Sequence, residues 1–235
     1  MRKERKKNKI QIALIGAQGQ MGKAIASLKD LNFEITYAFT RQNPAHPVSV
    51  DLFIDFSSDK ALEENLQTAL LAKKPIVIGT TGLLNFDLIK EASQSIPIFY
   101  SPNFSLGIHL MQKAALYYAQ ALQHLTSVQL TETHHVRKKD APSGSALMLA
   151  QSIEKTMGKK VPIQSIRTGE IRGEHTLSFH TDEECLTLSH VAQNRSAFAR
   201  GAIAAAHFLV EQGPGLFGMD NLLSSQPEEK ATSLV

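Results

Sequence analysis

The densest group of side chains that could perform chemistry lies between Glu132 and Ser145, in the segment ETHHVRKKDAPSGS. It contains two adjacent histidines, His134 and His135, and histidine can pass a proton at neutral pH. Because side chains alternate along a strand, the two imidazoles must point in different directions unless the strand ends there. A lysine or arginine of the same segment could hold an anionic substrate or protonate a reacting atom. The segment therefore predicts an acid–base site, and a merely basic turn before a helix is the alternative.

The end of this segment predicts an anion site. Ser143, Gly144 and Ser145 precede a helical pattern, and the first N–H groups of a helix have no partner within the helix. Together with the helix dipole, these groups bind a carboxylate or a phosphate.

A second motif is typical of dinucleotide binding. Gly16, Gly19 and Gly22 follow a predicted strand and open a helix, so the backbone can turn tightly and approach a pyrophosphate. The spacing is GxxGxxG rather than the commoner GxGxxG, and a turn needed only for helix–strand packing is the alternative. At the end of the next strand, where NADH-binding proteins have an acidic residue, the chain has Thr40 and Arg41. A guanidinium there favours the 2′-phosphate of NADPH, unless Arg41 is simply a solvated loop cation.

Two more segments follow predicted strands, Gly79–Gly82 and Ser101–Phe104. Ligands of doubly wound sheets bind at the carboxyl ends of the strands, so these segments could line a nicotinamide pocket. Ordinary turn chemistry would explain the same residues.

The remaining histidines and the single cysteine predict no further chemistry. His175 and His180 lack carboxylates at ligand spacing, so we predict no metal site. Cys185 alone excludes an internal disulfide framework, and its place in an alternating pattern predicts a small core residue.

The order of elements places these motifs in two domains. Buried-type strands alternate with helices from residue 10, which predicts an α/β Rossmann-type doubly wound parallel sheet. After a long helix the strands alternate apolar and polar residues, which predicts a smaller α+β domain with an open mixed sheet. Such a sheet either packs on helices or builds an oligomer interface. The predicted strands are 10–15, 34–39, 52–56, 75–78 and 96–100, then 128–134, 175–180 and 184–190.

Composition and charge exclude some functions. The 235 residues are 43% hydrophobic, with no apolar run long enough to span a membrane and no signal-peptide pattern. We therefore predict a cytoplasmic protein with no membrane partner. The net charge of +3 comes from residues 1–9, which carry +5, while the rest carries −2. Such a tail is either an arm for nucleic acid or lipid, or a disordered solubilising terminus; we predict the second and no nucleic-acid partner.

Six motifs together resemble the dihydrodipicolinate reductase family of bacterial lysine and diaminopimelate synthesis. They occur in order along nearly the whole chain: GAQGQMG at 16–22, IDFS at 54–57, VIGTTG at 77–82, SPNFSLG at 101–107, ETHHVRKKDAPSGSA at 132–146 and GEHTLSF at 173–179. The resemblance implies a homotetrameric enzyme that reduces 4-hydroxy-tetrahydrodipicolinate, a cyclic dicarboxylate, to tetrahydrodipicolinate with NAD(P)H. The alternatives are another NADP-dependent reductase of a small carboxylic acid, or a dinucleotide sensor without catalysis.

The resemblance also implies two domains. Residues 10–104 and 208–235 would form the dinucleotide-binding domain, which the C-terminal segment completes, and residues 105–207 would bind substrate and mediate tetramerisation. It further implies roles for individual residues. His134 falls on the family's general acid–base histidine, and Lys138 on its proton-donating lysine. An acidic residue common in the family is replaced by Thr40 beside Arg41, so we expect NADPH to be preferred and NADH to remain possible. The expected substrate-binding residues are His135, Ser143, Gly144 and Ser145. The expected cofactor-binding residues are Gly16, Ala17, Gln18, Gly19, Gln20, Met21, Arg41, Gly79, Thr80, Thr81, Ser101, Pro102, Asn103 and Phe104.

Overall fold

The computed structural model describes residues 9–29, 32–82, 84–121 and 127–225. The basic tail, apart from Lys9, and the last ten residues therefore lie outside the described residues. The elements in chain order are β1 (Ile10–Ile15), α1 (Gln20–Ala26), β2 (Phe33–Phe39), β3 (Leu52–Asp55), α2 (Leu62–Ala72), β4 (Ile76–Ile78), α3 (Asp87–Ala92), β5 (Pro97–Tyr100), α4 (Leu106–Ala121), β6 (Ser127–His134), α5 (Gly144–Met157), β7 (Ile163–Arg167), β8 (Glu174–His180), β9 (Cys185–Val191), α6 (Ser196–Leu209), β10 (Gly215–Phe217) and α7 (Met219–Ser225).

The chain folds into two compact units. The first comprises residues 1–104 and 198–235, and the second comprises residues 105–197. Our predicted division differs from these units in beginning the last stretch at residue 208 rather than at residue 198, and the functional roles of the two domains stay a prediction. The reason for the difference is packing of α6, whose Gly201 lies so close to Phe104 that a β-carbon would be 1.8 Å from the Phe104 carbonyl oxygen. Most of α6 therefore belongs to the first unit.

The first unit contains a six-stranded parallel sheet in the order β10-β5-β4-β3-β1-β2. Strands β1, β3 and β4 are mainly buried and, apart from Gln11 and Asp55, apolar, as expected for a parallel sheet covered on both faces. The predicted Rossmann-type class is confirmed. Because β2 and β3 lie on opposite sides of β1, the strand order reverses at β1, and a crevice for ligands forms at such a point.

The second unit contains the mixed four-stranded sheet β7-β6-β8-β9. Strand β6 pairs in parallel with β7 and antiparallel with β8. One face of the sheet is apolar and packs with helices α4 and α5 around Leu130, Leu149 and Leu177. The other face carries mainly Ser, Thr and Gln side chains of intermediate or high exposure. The predicted open mixed sheet is thus confirmed.

Some predictions for individual positions were wrong. Cys185 is exposed and not a core residue, because the inward positions of β9 are Leu186, Leu188 and His190. Strands β7 and β10 and helix α7 were not predicted at all, and β7 proves important for the site. Within the described residues no helix has the length and apolar character to cross a membrane.

Candidate active site

A buried carboxylate lies at the centre of the second unit. Leu130, Glu132 and His134 alternate along β6 toward the packed face, and Glu132 is fully buried. A buried charge needs partners, and Glu132 is bound by two side chains, while the N–H of Ser143 donates a longer hydrogen bond of 3.4 Å to its Oε1. Its Oε1 accepts a hydrogen bond of 2.7 Å from Nη2 of Arg167, and its Oε2 is bound to Nδ1 of His134.

The pKa values of this group follow from its contacts. Burial disfavours the charged form of Glu132, but the hydrogen bonds, chiefly that from Arg167, outweigh it and lower the pKa to about 2. Burial lowers the pKa of His134, an effect that Glu132 opposes and that Lys138 and Arg167 reinforce. Glu132 is therefore ionised throughout the physiological range.

A second histidine lies beside this pair. His175 of β8 is paired opposite Glu132, and its ring centre is 5.3 Å from that of His134. Its Nε2 is 3.3 Å from the hydroxyl of Ser143. Burial lowers the pKa of His175 to about 4, so this imidazole is neutral at physiological pH.

The loop after β6 places the lysine of the predicted site. Strand β6 ends at His134, so the alternation along a strand does not apply to His135, which is the second of the two possibilities that the sequence left open. The His135 N–H donates a hydrogen bond of 2.7 Å to the carbonyl of Ile171. Lys138 is partly exposed, and its Nζ lies 2.8 Å from Oδ2 of Asp140.

The start of α5 has the form of an anion site. Ser143 is the N-cap residue, and its buried hydroxyl accepts from the N–H of Ala146 at 3.2 Å. Gly144 is exposed, and a β-carbon there would meet nothing within 4 Å. The Ser143 hydroxyl is thus engaged in holding the helix, while the backbone at Gly144 is open to a ligand.

Glu132, His134 and His175 also meet the spacing of a metal site, because one ligand atom from each lies within 4.8 Å of the others. Sequence spacing alone did not reveal this cluster. Its contacts favour an ion-pair network, because one carboxylate oxygen is bound by Arg167 and the other by the imidazole of His134. The absence of a metal site stays a prediction.

The predicted cofactor residues lie at the carboxyl edge of the parallel sheet in the first unit. Gly16 has φ +79°, and a β-carbon at Gly22 would be 2.3 Å from the Gly16 carbonyl oxygen, so these glycines let α1 pack against the end of β1. Thr80, just after β4, has a buried hydroxyl with no partner among the described residues. A dinucleotide would give this hydroxyl a partner, and the site fits such a group.

The other predicted cofactor residues divide into exposed and packed positions. Gln18, Gly19, Gln20, Thr81 and Pro102 are exposed, while Ala17, Met21, Gly79 and Asn103 are half-buried. Ser101 and Phe104 are buried, and the Phe104 ring lies 5.4 Å from that of Phe56. Arg41 is exposed and has no ion pair within residues 9–29, 32–82, 84–121 and 127–225.

Sequence reasoning missed three residues of the acid–base group: Glu132, Arg167 and His175. Glu132 stands two positions before His134, and that spacing puts both side chains on one face of a strand, which is a usable signal. Arg167 and His175 were noticed as polar positions at strand ends, but they were interpreted as structural because their pairing with β6 is not visible in the sequence.

Comparisons with known proteins indicate one family for both units of the chain. Residues 36–104 match the family model "Dihydrodipicolinate reductase, N-terminus", and residues 107–223 match "Dihydrodipicolinate reductase, C-terminus". The 4-hydroxy-tetrahydrodipicolinate reductase of Bdellovibrio bacteriovorus is 40% identical over 223 residues, covering 92% of this chain and 96% of its own. That of Alkaliphilus oremlandii is 37% identical, covering 92% and 99%. A dipicolinate-bound dihydrodipicolinate reductase from Paenisporosarcina shares the fold, with a TM-score of 0.77, 23% identity and coverage of 91% and 99%.

Proposed function

The chain belongs to the dihydrodipicolinate reductase family, and we propose that it reduces 4-hydroxy-tetrahydrodipicolinate with NADPH in lysine and diaminopimelate synthesis. The bound cofactor supplies a hydride. A proton is also taken up and water is lost, so that tetrahydrodipicolinate results. The enzyme also uses NADH, with a lower kcat/KM.

One observation carries the proposal. In the second unit, a histidine hydrogen-bonded to a buried carboxylate lies near Lys138, whose charge lowers the pKa of that histidine. His134 can give and take a proton, and Lys138 can donate one to the reacting molecule. The open backbone at Gly144 suits one carboxylate of a dicarboxylic substrate. His135 and Ser145 complete our proposed substrate-binding set.

The proposed cofactor preference depends on Arg41. The guanidinium follows the end of β2 at the carboxyl edge of the sheet, is exposed and has no ion pair among the described residues. Such a group can bind a 2′-phosphate with two hydrogen bonds. No carboxylate accompanies it at Thr40, where one would bind the ribose hydroxyls of NADH.

We further propose a homotetramer in the cytoplasm. The Ser, Thr and Gln face of the four-stranded sheet is left uncovered by α4 and α5, and an open sheet face can pack against copies of itself. Family resemblance supports the tetramer. The cytoplasmic location remains a sequence-based prediction.

A coupled assay tests the reaction and the cofactor preference together. The substrate is made in place from pyruvate and aspartate semialdehyde by the condensing enzyme, and oxidation of NADPH or NADH is followed by absorbance. We expect cofactor oxidation to require the condensation product, with a higher kcat/KM for NADPH. Arg41→Ala should lower the kcat/KM for NADPH by about tenfold, the equivalent of about 1.4 kcal/mol, and leave that for NADH unchanged.

Lys74→Ala is the matched control, because Lys74 lies just before the amino end of β4. Oxidation of cofactor with simple keto acids in place of the condensation product would favour a different reductase. Binding of NADPH without turnover would favour a sensor. Equal use of the two cofactors would contradict the role of Arg41.

A further inference from the structure

In its charged form, Glu132 accepts hydrogen bonds but cannot donate one. This fixes which nitrogen of His134 carries the proton. Both carboxylate oxygens are already engaged, one by Arg167 and one by the imidazole of His134. An ionised carboxylate has no proton to donate, so Nδ1 of His134 must carry the proton of this hydrogen bond. The neutral imidazole then has its lone pair on Nε2.

Arg167 makes this arrangement rigid. Besides Glu132, its guanidinium donates to the carbonyl of Asp140 at 2.6 Å and to that of Ile166 at 2.8 Å. In the sheet register, Arg167 of β7 is paired with His134 of β6. One arginine therefore holds the carboxylate and also the loop that carries Lys138.

The space around the second nitrogen of His134 is kept free by a glycine. A β-carbon at Gly173 would lie only 3.0 Å from Nε2, so any larger residue there would crowd the ring. Nε2 is thus the nitrogen that remains available for exchange of a proton.

We propose that Glu132 and Arg167 are positioning residues, which hold His134 with its proton on Nδ1 so that Nε2 performs the acid–base step. This rests on the proposed function, in which His134 is the acid–base group. The groups that face His134 are Glu132 on its own strand, Lys138 in the following loop, Arg167 on β7 and His175 on β8. Of these, only Glu132 raises the pKa of His134, while Lys138 and Arg167 lower it.

Glu132→Gln gives a sharp test. Arg167 has only donors, so it will take the amide oxygen of the glutamine. The amide NH₂ must then face Nδ1 of His134, which can accept this bond only without its proton. We expect the tautomer to invert, with the proton on Nε2. The measurement is ¹⁵N NMR of the full chain labelled at histidine, with the His134 signals assigned by their loss in His134→Asn.

Kinetics provide a second readout. In Glu132→Gln we expect kcat to fall at least about 100-fold, with the Kd for NADPH unchanged. Loss of the carboxylate lowers the pKa of His134 further, so the limb of the pH–rate profile that depends on protonated His134 should move to lower pH. A purely structural role would lower the amount of folded enzyme without moving this limb.

The double variant Glu132→Gln/Arg167→Met tests whether Arg167 determines which atom of residue 132 faces His134. Without Arg167, the amide oxygen keeps only the long contact of 3.4 Å with the N–H of Ser143, so it can turn to accept from Nδ1, and we expect the Nδ1–H tautomer to return. Glu154→Gln is the control, because Glu154 is a carboxylate of the same unit that pairs with Lys160 and accepts from the N–H of Val161. It should alter neither the tautomer nor kcat.

The wild-type spectrum decides the proposal even if Glu132→Gln does not fold. A neutral wild-type His134 with its proton on Nδ1 supports the proposal, and one with its proton on Nε2 overturns it. A folded Glu132→Gln protein with an unchanged tautomer and unchanged kcat also overturns it. The spectra need no substrate, so a wild-type protein with the expected tautomer but no reductase activity would contradict the proposed function alone.

Discussion

Lys138 is the residue whose role can be isolated most cleanly. Its ammonium group is partly exposed and is held 2.8 Å from Oδ2 of Asp140. An exposed ion pair of this kind stabilises a protein by about 0–1 kcal/mol. The Asp140 carboxylate therefore positions Lys138 but binds it only weakly, and an anionic substrate can displace it.

Replacing Lys138 by alanine should reduce turnover and leave cofactor binding intact. Because the lysine is the proposed proton donor, we expect kcat to fall at least about 100-fold. The Kd for NADPH, measured by fluorescence titration, should change less than about twofold, since the predicted cofactor residues belong to the other unit. Lys139→Ala removes the same charge from the adjacent exposed residue and serves as the control. Near-normal turnover in Lys138→Ala would remove this residue from the mechanism.

The sequence indicated the acid–base residues of this site but not the residues that position them. The polar segment 132–145 predicted an acid–base site, and the family resemblance selected His134 and Lys138 within it. Arg167 is 35 positions away from Glu132, and nothing in its own surroundings signals that it binds a buried carboxylate. Contacts of this kind depend on strand pairing, so local patterns cannot predict them.

At the scale of elements, the strands with a strong local hydrophobic pattern were predicted, and those with a weak pattern were not. Strands β1 and β3 are continuous buried runs, and they were found because burial on both faces leaves a clear signal. Strand β7 has the sequence IQSIR, with the side chains of one face half-buried and those of the other face exposed. Its pairing with β6 makes it a strand, and that pairing is not visible locally. Strand β10 has only three residues and forms by pairing with β5.

The packing of α6 permits an element-scale prediction. In most helices Gly→Ala stabilises by about 1 kcal/mol. At Gly201 the added carbon would lie 1.8 Å from the carbonyl oxygen of Phe104, so the helix must move away. We expect Gly201→Ala to lower the free energy of unfolding by about 1–3 kcal/mol, as overpacking does.

Denaturant unfolding followed by circular dichroism measures this effect. Arg200→Ala, at the adjacent exposed position of α6, should change stability by less than about 0.5 kcal/mol. A Gly201→Ala protein as stable as the wild type would show that α6 does not pack this closely on Phe104.

At the scale of the whole molecule, the net charge of +3 says little about ligand binding. The described part of the chain begins at Lys9, so nearly all of the basic tail lies outside it, and residues 10–235 carry −2. Recognition of anions must therefore depend on local groups. Arg41 in the first unit and the start of α5 with Lys138 in the second are such groups.

The uncovered face of the four-stranded sheet gives the last prediction. On this face the hydroxyl of Thr176 in β8 lies 3.2 Å from that of Ser189 in β9. If this face joins copies of the chain, a lysine at position 176 would bring several positive charges together in a buried contact, which is costly. By sedimentation velocity we expect a wild-type mass of four times 25.8 kDa and a smaller species for Thr176→Lys. Thr156→Lys adds the same charge on the exposed side of α5 and should leave the assembly intact. A monomeric wild type, or a Thr176→Lys protein that still forms tetramers, would show that this face is not the contact between subunits.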